Sequence, residues 1–443
     1  MRKNLTRCLI FLQNKHLVYP KIVVCNSKKM YFMNIIVLLF SLVCMSTCAS
    51  TSSTNLMQKL FQNTYDSLST EDKQLYDNWG NDRKLKPRSF TAHMLLAHWA
   101  ALNNNTACLE ALKSGGANFN LKDNYDYTPA HWAAINGNSA CLEVLKAGGA
   151  NVNIQDDGGY TPAHNAAKSN NAPCLEVLRT GNADFNIKNK YGKTPAHLAA
   201  FHSDTACLKV LKDGGANFNL QDDSGSTPAF QAAYTNRFAC LEVLSAGGAD
   251  FNIQNNNGYT PAHCAAERNH PKSLEVLKAG GANFNLQQYD GNTPAHFAAQ
   301  YNYPFCLKIL NDGDVDFNIQ NNNGDSPAHL AAHHADGFCL EELRVGGANF
   351  NLQNKKGGQT PAIKAAYESN ATCLEILNAG GANFNLQDNY GTTPAHIVAR
   401  YFDKKCLQVL NAGDANFDIQ DCHGETVREI VLRTRGIAID DLF

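Results

Sequence analysis

The chain has 443 residues, 44% of them hydrophobic, enough apolar side chain for a sizeable core. Its formal net charge of −2 excludes the general basic footprint of a nucleic-acid-binding protein. Length alone would suggest about three ordinary domains, but self-similarity at a fixed period overrides that count and points to stacked repeats.

Residues 1–49 form a basic segment. Arg2, Lys3, Arg7, Lys15, Lys21, Lys28 and Lys29 all precede the first acidic residue, Asp66. The apolar run Ile35 to Met45 (IIVLLFSLVCM) is shorter than the about 17–25 residues of a membrane span and fits a signal-peptide core of about 7–15. Lys28 and Lys29 give it a positive flank, and the small residues at Thr47 and Ala49 suit cleavage after Ala49. A secreted or exported chain is therefore expected, with a membrane anchor or a cytoplasmic location as the alternative. Residues 50–93 carry two short amphipathic patterns, one through Leu56, Leu60, Phe61, Tyr65 and Leu68 and one after Thr70. They are expected to form a helical cap or linker.

Residues 94–443 repeat a single unit. Tetrads of the form Thr/Ser-Pro-Ala-x begin at Thr128, Thr161, Thr194, Thr227, Thr260, Thr293, Ser326, Thr360 and Thr393, 33 residues apart except for one extra residue within Lys355–Gly358. Thr128 suits an N-cap and Pro129 the first helical position, where a missing N–H is harmless. A short Ala-rich helix should end at Gly137, Asn170, Ser203 or Asn236. A second helix, capped by Asn138, Asn171, Asp204, Asp336, Asn370 or Asp403, presents Cys141, Leu142, Val144 and Leu145 at helical spacing and ends at Gly148-Gly149. An extended arm then runs to a Gly-containing, hairpin-like tip. The units starting near Leu95 and Thr426 break the pattern, as end caps must. The fold class is thus an all-α repeat solenoid of about ten to eleven 33-residue units, atypical end caps included, each a pair of antiparallel helices with a hairpin-like tip.

A helix–turn–helix with an extended tip, repeating at 33 with Thr-Pro-x-His, resembles the ankyrin-repeat family over about residues 90–443. The sequence departs from that family's pattern in two linked places. Ala follows Thr-Pro where Leu is usual, and Phe119, Phe185, Phe218, Phe251, Phe284, Phe317, Phe350, Phe384 and Phe417 stand where Val is usual, Val152 being the exception. This reads as one volume-conserving exchange. The resemblance implies a non-enzymatic protein-binding scaffold with no cofactor, and by analogy an exported effector that meets a host; a membrane-anchored or intracellular adaptor, or a part of an enzyme system, is the alternative. It further implies that Asn120, Asn186, Asn219 and their equivalents match sites that an asparaginyl hydroxylase modifies in the cytosol.

Periodic His and Cys rows invite a metal or redox reading. His98, His131, His164, His197, His263, His296, His329 and His396 occupy the tetrad, but Phe230 and Ile363 replace them in two units, which a shared metal site would tolerate poorly. The family resemblance implies that this His ties neighbouring repeats together. Nine of the 15 cysteines share one phase. Stacked helices lie about 8–10 Å apart, beyond disulfide reach, so these are expected as small core residues. Cys264 and Cys422 fall at other phases and are expected to be exposed. No Cys-x2-Cys, phosphate-loop or nucleophile-elbow motif occurs, so no catalytic, metal or cofactor site is expected.

The remaining signal lies where units differ, at the tips and the first helices, which line the concave groove in the resembled family. A protein partner, with no nucleic acid, is expected to meet Tyr125, Tyr127, Trp132, Tyr160, Tyr191, Tyr234, Tyr259, Tyr289, Phe297, Tyr301, Tyr367, Tyr390 and Arg400. Tyr, Trp and Arg are the residue types that most often dominate interface energy. A membrane enters only through an uncleaved N-terminal segment. Asn104-Asn105-Thr106 and Asn370-Ala371-Thr372 are glycan acceptors if a eukaryote secretes the chain.

Overall fold

The computed structural model describes residues 92–202 and 204–442. The basic segment, nearly all of the expected cap and position 203 lie outside them. The described residues form 21 α-helices and a closing 3-10 turn. Ten antiparallel pairs run from Ala92–Leu102 with Thr106–Ser114 to Pro394–Tyr401 with Lys404–Ala412. Val427–Arg435 and the turn Ile439–Leu442 follow the tenth pair. First helices pack on first helices and second on second, while each pair also packs on itself. Among the described residues no helix is long and apolar enough to cross a membrane.

The tetrad explains both the start of each first helix and the joint to the next unit. Thr161 has extended backbone, Pro162 opens the helix, and the Thr161 N–H donates to His164 Nδ1 at 3.0 Å. The opposite ring nitrogen, Nε2, lies 2.9 Å from the carbonyl of Lys193 in the following unit. A backbone N–H can only donate and a carbonyl can only accept, so His164 is neutral with its proton on Nε2. His131, His197, His263, His296, His329 and His396 repeat this arrangement. In the unit that opens at Thr426, Glu429 stands in the place of the histidine, accepting from the Thr426 N–H at 2.8 Å.

The second helices are capped in two ways. Asp204, Asn370 and Asp403 accept the N–H of Cys207, Cys373 and Cys406, as expected from sequence. Asn138 and Asn171 stand at the cap position but turn their amides back to carbonyls of the preceding first helix, Ala101 and Ala134. An amide has N–H groups to donate and a carboxylate has none, so Asn but not Asp can make this backward link. His270 makes it too, from Nδ1 to the Ala233 carbonyl at 3.0 Å, and Asn370 combines it with its capping bond by donating to the His334 carbonyl. Asp336 is not a cap; Gly337 takes that place at φ 70°.

The cysteine row is core. Cys108, Cys141, Cys174, Cys207, Cys240, Cys306, Cys339, Cys373 and Cys406 are all buried. Burial pushes the Cys174 and Cys306 thiols up to about 12, so they are not reactive thiolates. Ser273, standing in this row, donates to Asn236 Oδ1 at 3.0 Å, showing that the position takes any small side chain that fits. The expectation of an exposed Cys264 is corrected: only 2% of it is exposed, because its place in the first helix lies beneath the neighbouring unit. Cys422 is exposed. Brief alkylation of native protein followed by peptide mapping should therefore modify Cys422 and spare the other ten described cysteines until the chain is unfolded. Rapid modification of Cys141 or Cys240 in native protein would contradict this packing.

The phenylalanine row has a specific contact. Phe185 is 2% exposed and its ring lies against Gly214, the residue ending the next second helix. A Cβ at Gly214 would collide with that ring, although the glycine's own φ of −92° would accept any residue. The same pairing joins Phe119 to Gly148, Phe218 to Gly247, Phe251 to Gly280, Phe317 to Gly346, Phe350 to Gly380 and Phe384 to Gly413. Where Val152 replaces Phe, the partner Gly181 meets no ring, and its nearest neighbour is Lys146 Cδ at 3.2 Å.

Candidate protein-interaction surface

Each tip is built so that its backbone is already satisfied. In the second full unit the Asp156 N–H donates to the Tyr160 carbonyl at 2.9 Å, and Asp156 Oδ1 accepts from Gly158 and Tyr160. Successive tips bond to one another, for example from Asp223 N–H to the Tyr191 carbonyl at 3.1 Å. At the tip base Gln221 donates to Gly225 and Gln254, and this glutamine link recurs at Gln254, Gln287, Gln320, Gln353 and Gln387. A second row runs through Asn219, which accepts the Asp250 N–H at 2.7 Å and donates to the Gly248 carbonyl at 3.1 Å. The backbone framework is consumed by its neighbours, so what it offers outward is the variable side chains.

The tip tyrosines fall into two classes that the sequence does not separate. Tyr125, Tyr191, Tyr289 and Tyr390 sit at the turn apices and are 62–70% exposed. Tyr127, Tyr160 and Tyr259 immediately precede the tetrad and lie half-buried across its histidine, with ring centroids 5.5, 5.7 and 5.7 Å from His131, His164 and His263. Burial pushes the phenol of Tyr259 up to about 12. At the ends of the first helices, Tyr234, Tyr301 and Tyr367 are 41–46% exposed.

The other candidates are held by named contacts. Trp132 is half-buried; its indole N–H donates to Asp123 Oδ2 at 2.7 Å, and its ring meets Tyr127 edge-on at 5.3 Å. Arg400 reaches into the following tip, donating to Asp421 Oδ2 at 2.8 Å. Tyr234 carries the Arg268 guanidinium 3.7 Å above its ring. Phe297 is corrected as a contact candidate: it is 5% exposed, packed on Tyr259 at 5.4 Å and on His263 at 6.2 Å. The same place in other units is buried Asn165, Cys264 and Ile397. Exposure there depends on the neighbouring tip residue, not on the repeat phase.

Sequence comparison agrees with this geometry. The ankyrin-repeat family model, ankyrin repeats in three copies, matches residues 97–189, 175–255, 197–288, 230–321, 269–354 and 328–421. The chain belongs to the ankyrin-repeat family. Among solved structures this ankyrin array is similar to the ankyrin repeat domain of Bcl-3, a unique member of the IkappaB protein family, at 25% identity and a TM-score of 0.45; the match covers 48% of this chain and 97% of that one. No curated protein matches the chain. Ankyrin repeats are in general protein–protein interaction scaffolds. Among the described residues of this ankyrin array, no group of three His, Cys, Asp or Glu side chains could hold a metal ion.

Sequence reasoning missed the exposed aromatics on the second helices. Phe305 and Phe338 stand in equivalent places of adjacent units at 73% and 62% exposure, and Phe238 is 37% exposed. Their signal was present, since Ala140, Ala206 and Ala239 occupy that place in other units. Of the two glycan acceptor sequences, Asn104 is exposed at φ 55°. Asn370 is 9% exposed and spends its amide on the Cys373 N–H and the His334 carbonyl, so the folded array does not present it.

Proposed function

We propose that this ankyrin array is an exported, non-enzymatic scaffold that grips a partner protein across its tips and first helices. The observation that carries the reading is the row of apex tyrosines, Tyr125, Tyr191, Tyr289 and Tyr390, all more than 60% exposed beside a framework whose Phe, Thr and His positions are buried. Exposed aromatics in this number cost solubility unless a partner covers them, and they supply large contact area with few rotatable bonds. Tyr234, Tyr301 and Tyr367 extend the same surface along the first helices. The export part rests on the apolar run Ile35 to Met45 with its lysine flank. An effector role in a host follows from analogy alone and adds no residue to the site.

The test is proximity capture with the full chain and with a Tyr125→Ala, Tyr191→Ala, Tyr390→Ala variant. The variant is expected to lose the specific partners while keeping the helical spectrum of the parent. Capture of an identical set by both would place the partner elsewhere. Intact-mass measurement of the protein from its native source is expected to show residues 1–49 removed; a mass that retains them refutes the cleaved signal.

A further inference from the structure

The first two tips combine acidic charge with a cluster of aromatic side chains. They carry Asp123, Asp126, Asp156 and Asp157 against a single basic residue, Lys122. Asp123 is committed internally, its two oxygens accepting from the Tyr125 and Tyr127 N–H groups and from the Trp132 indole. It therefore fixes the tryptophan in place. Asp156 is likewise tied to its own turn and is 8% exposed. Asp157 is exposed and Asp126 half-buried, and among the described residues no hydrogen bond commits either carboxylate.

Above these carboxylates the rings form a corner. Tyr127 and Trp132 meet at 67° with centroids 5.3 Å apart, and Tyr125 stands 6.5 Å from Tyr127 at 64% exposure. Burial, followed by the charges of Asp156, Asp157 and Asp123, raises the Tyr127 phenol. Ring faces beside fixed negative charge attract cations. Elsewhere the groove shows this pairing within the chain: Lys168 lies 5.8 Å from the centre of the Tyr160 ring, and Arg268 covers Tyr234. Among the described residues no cation of this chain is placed over Tyr125, Tyr127 or Trp132. One unit further on the sign reverses, with Lys188, Lys190 and Lys193 at the third tip. The fourth tip is acidic again, with Asp222 and Asp223, but Ser224, Ser226 and Gln231 stand there in the places of Tyr125, Tyr127 and Trp132. The combination of rings and carboxylates is thus confined to one position, suited to one basic side chain and opposed to a long basic run.

We propose that the corner of Tyr125, Tyr127 and Trp132, rimmed by Asp126 and Asp157, receives one Lys or Arg side chain of an extended partner segment. This rests on the scaffold reading above and adds the chemistry of one subsite to it. The cation lies against the ring faces, the two carboxylates supply its counter-charge, and the Trp132 indole, held by Asp123, forms a fixed wall. Preorganised rings lose little entropy on binding, so the subsite selects charge at one register point.

Trp132 reports directly on the site. The full chain, labelled with 15N, is titrated with Gly-Gly-Arg-Gly-Gly, and with the same peptide carrying norleucine or glutamate in place of arginine, while the three indole N–H resonances are followed. The arginine peptide is expected to move the Trp132 resonance saturably, at least tenfold more tightly than the norleucine peptide, and more weakly as salt rises. The Asp126→Asn, Asp157→Lys variant keeps a residue tolerant of positive φ at position 126 and should weaken the arginine peptide at least tenfold with an unchanged helical spectrum. A Trp132 resonance that is silent to arginine, moves equally with norleucine, or is indifferent to the charge variant overturns the proposal. If the apex-tyrosine variant still loses its partners in that case, the scaffold reading survives and only this subsite falls.

Discussion

Between pH 7 and pH 5 the array is expected to lose stability on the order of 10 kcal/mol, through its histidine joints alone. Burial holds His131, His164, His197, His263 and His296 down to about 4, against an ordinary value of 6.5. His329 and His396 are lowered by the same cause. Hydrogen bonding agrees with the direction, since a proton added to Nδ1 would face the N–H of the preceding Thr or Ser, donor against donor. In the unfolded chain these rings take up protons as the pH falls below about 6.5, while the folded ones do not until near 4. The stability they contribute is therefore complete above about 6.5 and is lost progressively as the pH falls from there towards 4. At pH 5 the separation is worth roughly 2 kcal/mol for each ring, and five such rings reach the stated sum. Urea unfolding at the two pH values measures it. Replacing His164 and His296 by Gln keeps an acceptor for the capping bond but removes two titrating groups, so the variant should show a shallower pH slope. A urea midpoint that does not move between pH 7 and pH 5 would contradict neutral, buried rings.

The second large effect concerns the phenylalanine–glycine pairs. Phe185→Ala should cost about 3–5 kcal/mol, since the ring is fully buried and the units on either side can collapse only in part. Phe185→Val should cost roughly half of that. Gly214→Ala should cost about 1–3 kcal/mol by overpacking, because its methyl group meets the Phe185 ring. Combining Phe185→Val with Gly214→Ala should then cost less than the sum of the two, because each relieves the other. Gly181→Ala provides the internal control. A Cβ there would meet no ring, only the flexible Lys146 side chain at 3.2 Å and the Leu178 carbonyl oxygen at 3.3 Å; the residue sits at φ −93°, and the change should alter stability by less than about 1 kcal/mol. Calorimetry or urea titration of the five variants decides the matter. Strict additivity, or equal costs at Gly181 and Gly214, would show that the pairing does not control packing.

Most of the architecture can be read from Thr-Pro-Ala-His and Gly-Gly, because these are local signals: a cap, a proline at the first helical position, a helix end. The site is harder to read because its determinants cross between units. Trp132 and Phe297 hold the same place in the repeat, yet one is half-buried at the mouth of the groove and the other is closed over by Tyr259. Tyr125 and Tyr127 look alike in sequence, but the latter lies over His131 and only the former stands free at the apex. Asn138 and Asn171 carry a legible cap signal, and the partner they choose, a carbonyl 37 residues earlier, is set by stacking. The Phe exchange is visible as a substitution, whereas its counterpart is a glycine 29 residues later that would otherwise be credited to helix termination alone.

The two units without a tetrad histidine give the solenoid an uneven mechanical profile. Every other interior joint carries a ring-to-carbonyl stitch to the following unit, and those after Phe230 and Ile363 lack it. An array pulled from its ends loads all of its joints in series, so extension concentrates where the stitching is thinnest. Under tension the chain is thus divided into three blocks, with yield points placed by Phe230 and Ile363 and not by the geometric middle of the array.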